Sequence, residues 1–372
     1  MINLMYVVDD LKIGGPVIFV TTLTHLDKTK YNISVCCVFG GGELVSEIEQ
    51  SGIKVFVLGL RKWKPWLVFK LAWLMKKQHI QIVHTHLFGS NLIGRLSAIL
   101  AGVPVIIATM RSTTQIFSKT QILIDRFLAR FSHRIMVIDE PVRESVIRDE
   151  KINPDKIICI HNAISIERFN YSRMDVTEQI AELKLNNSYF LVGTVASLSP
   201  IKGHIYILRA IPHVLEEIPN VKFIFVGDGP SHQDLEREIQ RLNIGNQVFL
   251  LGYRKDIPQW LSLFDVFVHP CLIKGIPKSV IEAMVMKKPV VANTFSAIPG
   301  VIENNLTALL VPPRDAELLA QAIITLLKNK SLREQMVQKG YERVVEYFNY
   351  PRMIKELEAM YDSLVEERLI HK

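Results

Sequence analysis

The sequence predicts an α/β protein built from two doubly wound, Rossmann-like domains that face each other across a cleft. Three observations carry that prediction. Short, continuously apolar runs alternate with longer amphipathic ones, the pattern of parallel strands buried on both faces by helices. The alternation stops at a polar stretch and then starts again. With 372 residues, the chain is too long for one ordinary core, and a hydrophobic content of 49% is ample for two.

Taken in order, the first strands are "INLMYVV", "ISVCCVF", "KVFVL", "IQIVHTH", "VPVIIAT", "RIMVID" and "KIICIH", which end near Ile160. The stretch from Ile164 to Ser188, with "SIERFNYSRMD" and "KLNNS", has the composition of a partly helical connection. Strands resume with "YFLVGTVA", "VKFIFVG", "QVFLLG", "VFVHP", "PVVAN" and "ALLVP". The expected domains are therefore 1–165 and 189–345. An amphipathic helix over 351–369 is expected to pack back on the first. Doubly wound sheets bind ligands beyond the carboxyl ends of their strands, so the loops leaving those ends are where chemistry is sought.

Composition removes several classes. A net charge of +7, from 44 basic and 37 acidic side chains, suits an anionic small molecule or a membrane surface. No Lys/Arg block suggests a nucleic-acid arm, so no nucleic-acid partner is expected. Four cysteines form neither a CxxC pair nor a disulfide framework, and Cys36 and Cys37 read as small core hydrophobes. The opening "MINLMYVVDDL" lacks a basic leader, and no run gives 18 uncharged apolar residues. The expected location is the cytoplasm, with a peripheral position on the inner face of the plasma membrane. His84 and His86 have a spacing that metal sites use, but no third ligand is near. They read as cleft-lining or structural histidines, with His86 the candidate to touch an acceptor.

Four loops could hold an anion. After the first strand, Gly14 and Gly15 precede a helix opened by Pro16, which lets backbone N–H groups approach an anion. After the first strand of the second half, Lys202 and Gly203 stand at a helix start, where a lysine can neutralise a diphosphate. Gly227 opens the turn "GDGP", which could pass beneath a flat base. In "CLIKGIPKSVIEAM", Lys274 and Lys278 crowd a helix entrance where acids are usual, as if the negative charge arrived with a ligand. Glu282, one turn inside, can accept two hydrogen bonds from a ribose diol or simply pair with a lysine. Neither half contains G-x-G-x-x-G, which argues against a dinucleotide oxidoreductase.

Together, "GGP", "VHTHLFGSNLIGRLSAILAGVPVI", "IHNAISIERF", "PIKG", "FVGDGP" and "GIPKSVIEAMVMKKPVVA" with "LLVPPRD" give the chain its kinship. Over essentially its whole length it resembles family 4 of the retaining glycosyltransferases, with the GT-B fold. The resemblance implies sugar transfer from a nucleotide-diphosphate donor with retention of configuration, without a bound metal or other cofactor. The acceptor would be a glycan or a lipid-linked sugar in surface polysaccharide or glycolipid synthesis, such as lipopolysaccharide or capsule. The first domain would hold the acceptor and the second the donor. Carried onto this chain, Lys202 would bind the diphosphate and Glu282 the ribose. Gly15, with Gly14, would lie beside the phosphates. The turn Gly275-Ile276-Pro277 and the N–H groups of Lys278 and Ser279 would cradle phosphate and sugar. No D-x-D triplet is present, in keeping with metal independence.

Some positions depart from the family pattern. Lys274 stands where a second glutamate is expected, and Ser197 where an arginine is common. Ser296, Ala297 and Gly300 replace the usual glycines and acid of the next loop. Arg111, in "ATMRST", occupies the place of a frequent histidine. Either Lys274 supplies the cation lost at Ser197, or the site has decayed and the chain is a binding or scaffold paralogue. A GT-B nucleotide-sugar epimerase is a third reading, for which no convincing pair of acid–base carboxylates is found. Finally, "RKWKPWLVFKLAWLMKK" (61–77) joins six cations to Trp63, Trp66, Phe69 and Trp73, a composition suited to an anionic headgroup layer. Packing of one of its faces on the sheet is the competing reading.

Overall fold

The computed structural model describes residues 1–12, 22–59, 65–111, 113–114, 117–164, 166–169, 174–184, 188–275, 277–298 and 301–370. The chain divides into two compact units, residues 1–163 with 350–372, and residues 164–349.

The first unit holds strands β1 (Ile2–Val8), β2 (Tyr31–Cys37), β3 (Lys54–Val57), β4 (Ile82–His86), β5 (Val105–Met110), β6 (Arg134–Val137) and β7 (Ile157–Cys159). They form one parallel sheet in the order β3-β2-β1-β4-β5-β6-β7. Successive side chains of a strand point to opposite faces, and here both faces are covered. On one, Leu4, Tyr6 and Val8 pack with Met353, Leu357 and Tyr361 of the helix Tyr350–Val365. On the other, Met5 and Val7 pack with Leu67, Leu71 and Met75 of the helix Trp66–Lys77. That double burial is why these strands read as unbroken apolar runs. Each large side chain so buried contributes about 1.5–3 kcal/mol.

The helix Tyr350–Val365 is also tied down by polar groups. The Tyr361 hydroxyl meets the Tyr6 hydroxyl and lies 2.7 Å from Nδ1 of His84, whose Nε2 is 2.7 Å from Oγ1 of Thr109. Tyr31 donates to Asp362 at 2.6 Å. A buried chain of this kind fixes the helix register, because any slip strands several polar groups away from water.

The second unit holds β8 (Phe190–Val195), β9 (Val221–Val226), β10 (Val248–Leu250), β11 (Val266–His269), β12 (Val290–Asn293) and β13 (Leu309–Val311). The order β10-β9-β8-β11-β12-β13 is again parallel throughout. The α/β fold with two doubly wound sheets is thus as expected, and each strand overlaps the run assigned to it, β2 starting two residues earlier and β5 ending one later. The stretch read as a connection differs. Ile164, Phe169 and Leu183 are buried against Trp260 and Phe264, so much of it is part of the second unit's core. Its polar residues masked three anchors spaced too widely to register as a run.

Candidate functional site

In each sheet the winding direction reverses beside the first strand, at β1/β4 and at β8/β11. The strand ends diverge there and leave room for a ligand.

In the second unit, the loops after β8, β9 and β11 meet at that point. The turn Pro200–Lys202 leads through Gly203 into the helix His204–Glu217. Gly203 has φ +72° and a Cβ there would strike the carbonyl of Pro270, so only glycine lets the two loops close. Gly227, φ +139°, is equally hemmed in by the carbonyl of Ala196. The Leu272 N–H donates to the carbonyl of Ile201 at 2.7 Å, and Asn293 donates its amide to the carbonyl of Cys271. These bonds hold Lys202 beyond the carboxyl ends of β8 and β11, its ammonium 3.9 Å from the Cys271 sulfur.

Two histidines flank that ammonium. Burial, with Lys202 beside them, pushes His204 down to about 4 and His269 down to about 3, so both are neutral at ordinary pH. Both ring nitrogens of His204 and Nε2 of His269 have no hydrogen-bond partner among the described residues. Buried polar groups are rarely left this way, and a bound ligand or water would satisfy them.

The helix Lys278–Val285 starts after Pro277 with no acid in its first turn and no side-chain cap. Its first N–H groups therefore present a partial positive charge. Glu282 is buried one turn in, which raises its pKa, while Lys278 Nζ at 3.3 Å acts against that rise and favours the carboxylate. The pairing with lysine is thus present, around a buried carboxylate. Ser279 is half-buried in the first turn. Lys274 is exposed just before Gly275, whose φ is +150°. Ser197 is exposed and Ser296 buried. Gly14, Gly15, Ile276 and Gly300 lie outside the described residues.

In the first unit, a cavity of about 270 Å³ sits at the β1/β4 end. Phe88 and Phe117 wall it, with rings 5.8 Å apart, and Asp9, Asn91 and Arg111 give it polar atoms. Burial pushes Arg111 down to about 10, still fully charged at neutral pH. Asp9 accepts from the Ser90 N–H at 2.6 Å, and burial raises its pKa. Leu87, at the turn from β4 into the helix Phe88–Ala101, has φ +72° and ψ 160°, a region that side-chain-bearing residues avoid. Such strain concentrates at binding sites and costs on the order of 1–3 kcal/mol.

His84 and His86 do not reach solvent. Burial lowers the pKa of both, His84 to about 3, and His86 stacks on Tyr6 at 5.4 Å. They belong to the polar core. No cluster of three or more metal-ligating side chains occurs among the described residues. Of the segment 61–77, residues 61–64 are outside the described residues; Trp66, Phe69 and Trp73 are exposed, while Leu67, Leu71 and Met75 face the sheet. No helix among the described residues is long and apolar enough to cross a membrane.

The sequence missed His204, His269, Cys271 and Asn293 beside Lys202, and Asp9 with the two phenylalanines of the cavity. "KGH" and "VHP" did signal histidines at strand and helix ends, but each looks ordinary until the loops are brought together.

Residues 13–168 match the family described as Glycosyltransferase Family 4, and residues 175–343 that described as Glycosyl transferases group 1. Among curated relatives is the Escherichia coli UDP-Gal:alpha-D-GlcNAc-diphosphoundecaprenol alpha-1,3-galactosyltransferase. It is 28% identical over 303 residues, 78% of each chain. The Staphylococcus aureus capsular polysaccharide biosynthesis glycosyltransferase CapM is 24% identical over 81% of each. Among solved structures, HepE of Anabaena in complex with UDP superposes with a TM-score of 0.85 at 21% identity, covering 97% of this chain and all of that one.

Proposed function

Since the chain is a glycosyltransferase belonging to family 4, with the GT-B fold, we propose that it moves a sugar from a nucleoside diphosphate to a glycan or lipid-linked acceptor, with retention of anomeric configuration, in surface polysaccharide or glycolipid synthesis. The observation that carries this reading is the pairing of Lys202, held at the β8/β11 end beside unsatisfied histidine nitrogens, with the buried Glu282 inside an uncapped helix start. A cation and free N–H groups suit a diphosphate, and a buried carboxylate suits a ribose diol. The names of the Escherichia coli and Staphylococcus aureus relatives support a UDP-sugar donor and a polyprenyl-diphosphate or capsular acceptor.

In this reading the bond between the sugar C1 and the diphosphate oxygen breaks as the acceptor oxygen bonds to C1 on the same face. The acceptor proton passes to the leaving phosphate oxygen, so no protein nucleophile is needed. Lys202 and the N–H groups of Lys278 and Ser279 stabilise the charge that builds on the diphosphate. Glu282 orients the ribose, and Gly227 closes the loop edge beneath the base. Lys274 adds a cation near the phosphate or sugar. Gly14, Gly15 and the Gly275-Ile276-Pro277 turn take the backbone part that the resemblance assigns them, with no metal. Arg111 and the aromatic cavity receive the acceptor, in the cytoplasm at the membrane surface.

The test is calorimetric titration with UDP, 2′-deoxy-UDP and UDP-sugars. The wild type should lose about tenfold in affinity for the deoxy compound, a hydrogen bond to a charged group being worth about 1.5–3 kcal/mol. Glu282→Gln should bind both equally and weakly. If the folded protein binds no common nucleotide sugar, the transferase reading is wrong for this chain and the non-catalytic one stands. Product anomer analysis by NMR, on any acceptor that turns over, decides retention.

A further inference from the structure

Between Glu49 and Asp139 the chain carries a single acid, Asp125, against thirteen lysines and arginines. The folded chain hides that acid, since Asp125 is buried in an ion pair with Arg95. This segment builds one layer on one face of the first sheet. The helix Phe88–Ala101 packs between the helices Trp66–Lys77 and Lys119–Leu128. The Tyr350–Val365 helix covers the opposite face.

The outward side of this layer is apolar to an unusual degree. Phe69 and Trp73 are 68% and 60% exposed on the first helix. Leu123 and Phe127 are 61% and 53% exposed on the third, and Phe131 just beyond it packs edge-on against Phe127 at 5.5 Å. Leu100 is exposed between them. A monomeric soluble protein seldom leaves large apolar groups standing on three neighbouring elements. Cations accompany them. Lys70 and Lys77 lie 5.9 and 4.9 Å from the rings of Trp66 and Trp73, while Lys119, Arg126 and Arg130 are exposed around Leu123 and Phe127. Long cationic side chains beside tryptophan and phenylalanine are what a lipid headgroup layer takes up.

We propose that this whole helical layer, and not the tryptophan helix alone, is the face on which the protein lies on an anionic bilayer. Leu123, Phe127 and Phe131 are its second wedge. Apolar side chains on neighbouring helices enter the acyl boundary together, and the surrounding cations meet anionic headgroups with no exposed acid in the segment to oppose them. Two separated wedges also fix the orientation of the unit on the surface, which one helix would leave free to roll about its axis. The inference goes beyond the transfer reaction and does not depend on donor binding, which is read in the other unit.

The experiment is flotation of the full chain with vesicles of phosphatidylcholine, with and without phosphatidylglycerol. The variants are Leu123→Ser/Phe127→Ser/Phe131→Ser and Trp66→Ser/Phe69→Ser/Trp73→Ser. All six side chains are exposed, and melting curves with UDP titration verify that each variant is folded. Binding only to the anionic vesicles, weakened about tenfold or more by either triple change and by added salt, is the expected result. Wild-type binding by the Leu123/Phe127/Phe131 variant would overturn the second wedge. Equal binding to neutral vesicles, or none, would overturn the anionic surface. A concentration-dependent dimer in sedimentation, abolished by the same variants, would assign the face to a second copy of the chain instead.

Discussion

At the β1/β4 end of the first unit, a strained Leu87 and two phenylalanines enclose a cavity whose one full positive charge is Arg111. At the β8/β11 end of the second, glycines without room for a Cβ bring backbone close, and Lys202 stands beside unsatisfied histidine nitrogens. The sheets share one winding rule, yet one end presents aromatic walls around a single arginine and the other a lysine beside buried neutral histidines. The lesson is that topology decides where a site lies, while the few loop residues decide what it takes.

The largest expected effect is common to both units. His84, His204 and His269 are neutral in the fold down to about pH 3, 4 and 3, but take a proton near pH 6.5 when unfolded. Between those values the unfolded chain binds more protons, so the stabilisation is complete above pH 6.5 and falls as pH drops through the folded values. Each histidine contributes a slope of up to about 1.4 kcal/mol per pH unit. Chemical denaturation from pH 7 to 4.5 should show it, and a flat profile would mean these rings reach water. Next, Lys202→Ala should lower the transfer rate about a hundredfold to a thousandfold, by loss of charge stabilisation alone. Arg111→Ala should act mainly on the KM of the acceptor; equal effects of both changes on donor affinity would erase the contrast between the two ends.

Tyr361→Phe should cost about 1–3 kcal/mol, because Tyr6 and Nδ1 of His84 lose a partner in a dry interior. Denaturant melts read it, and the loss should fall on the first unit only. The smallest effect is at Lys274. As an exposed cation it should add about 0–1 kcal/mol to donor affinity, more at low salt. Lys274→Ala with unchanged affinity at low salt would show that it merely replaces the missing glutamate without a role.

The strands were legible because parallel sheets bury both faces and write that burial as continuous apolar runs. In the second unit, Lys202, Gly203 and Glu282 drew notice in the sequence by their place at helix starts, and for Gly203 the type is demanded by backbone space. The Arg95–Asp125 pair and the His84–Tyr361 link were not, since their partners lie far apart in the chain. The exposed ridge of Leu123, Phe127 and Phe131 was hidden for a different reason. Its helical spacing is also that of a core face, and only the packed structure reveals which side of the helix met the sheet.

The helix Tyr350–Val365 completes the unit that contains β1. A ribosome therefore makes all of the second unit before it can finish the first. Until then the nascent first half, a natural client for chaperones, has a bare apolar face, and His84 and Tyr6 lack the Tyr361 hydroxyl that both meet in the finished unit. A chain that stops at Asn349 would keep its second sheet whole and lose the first. Domain order along the gene is thus not the order in which the domains become stable.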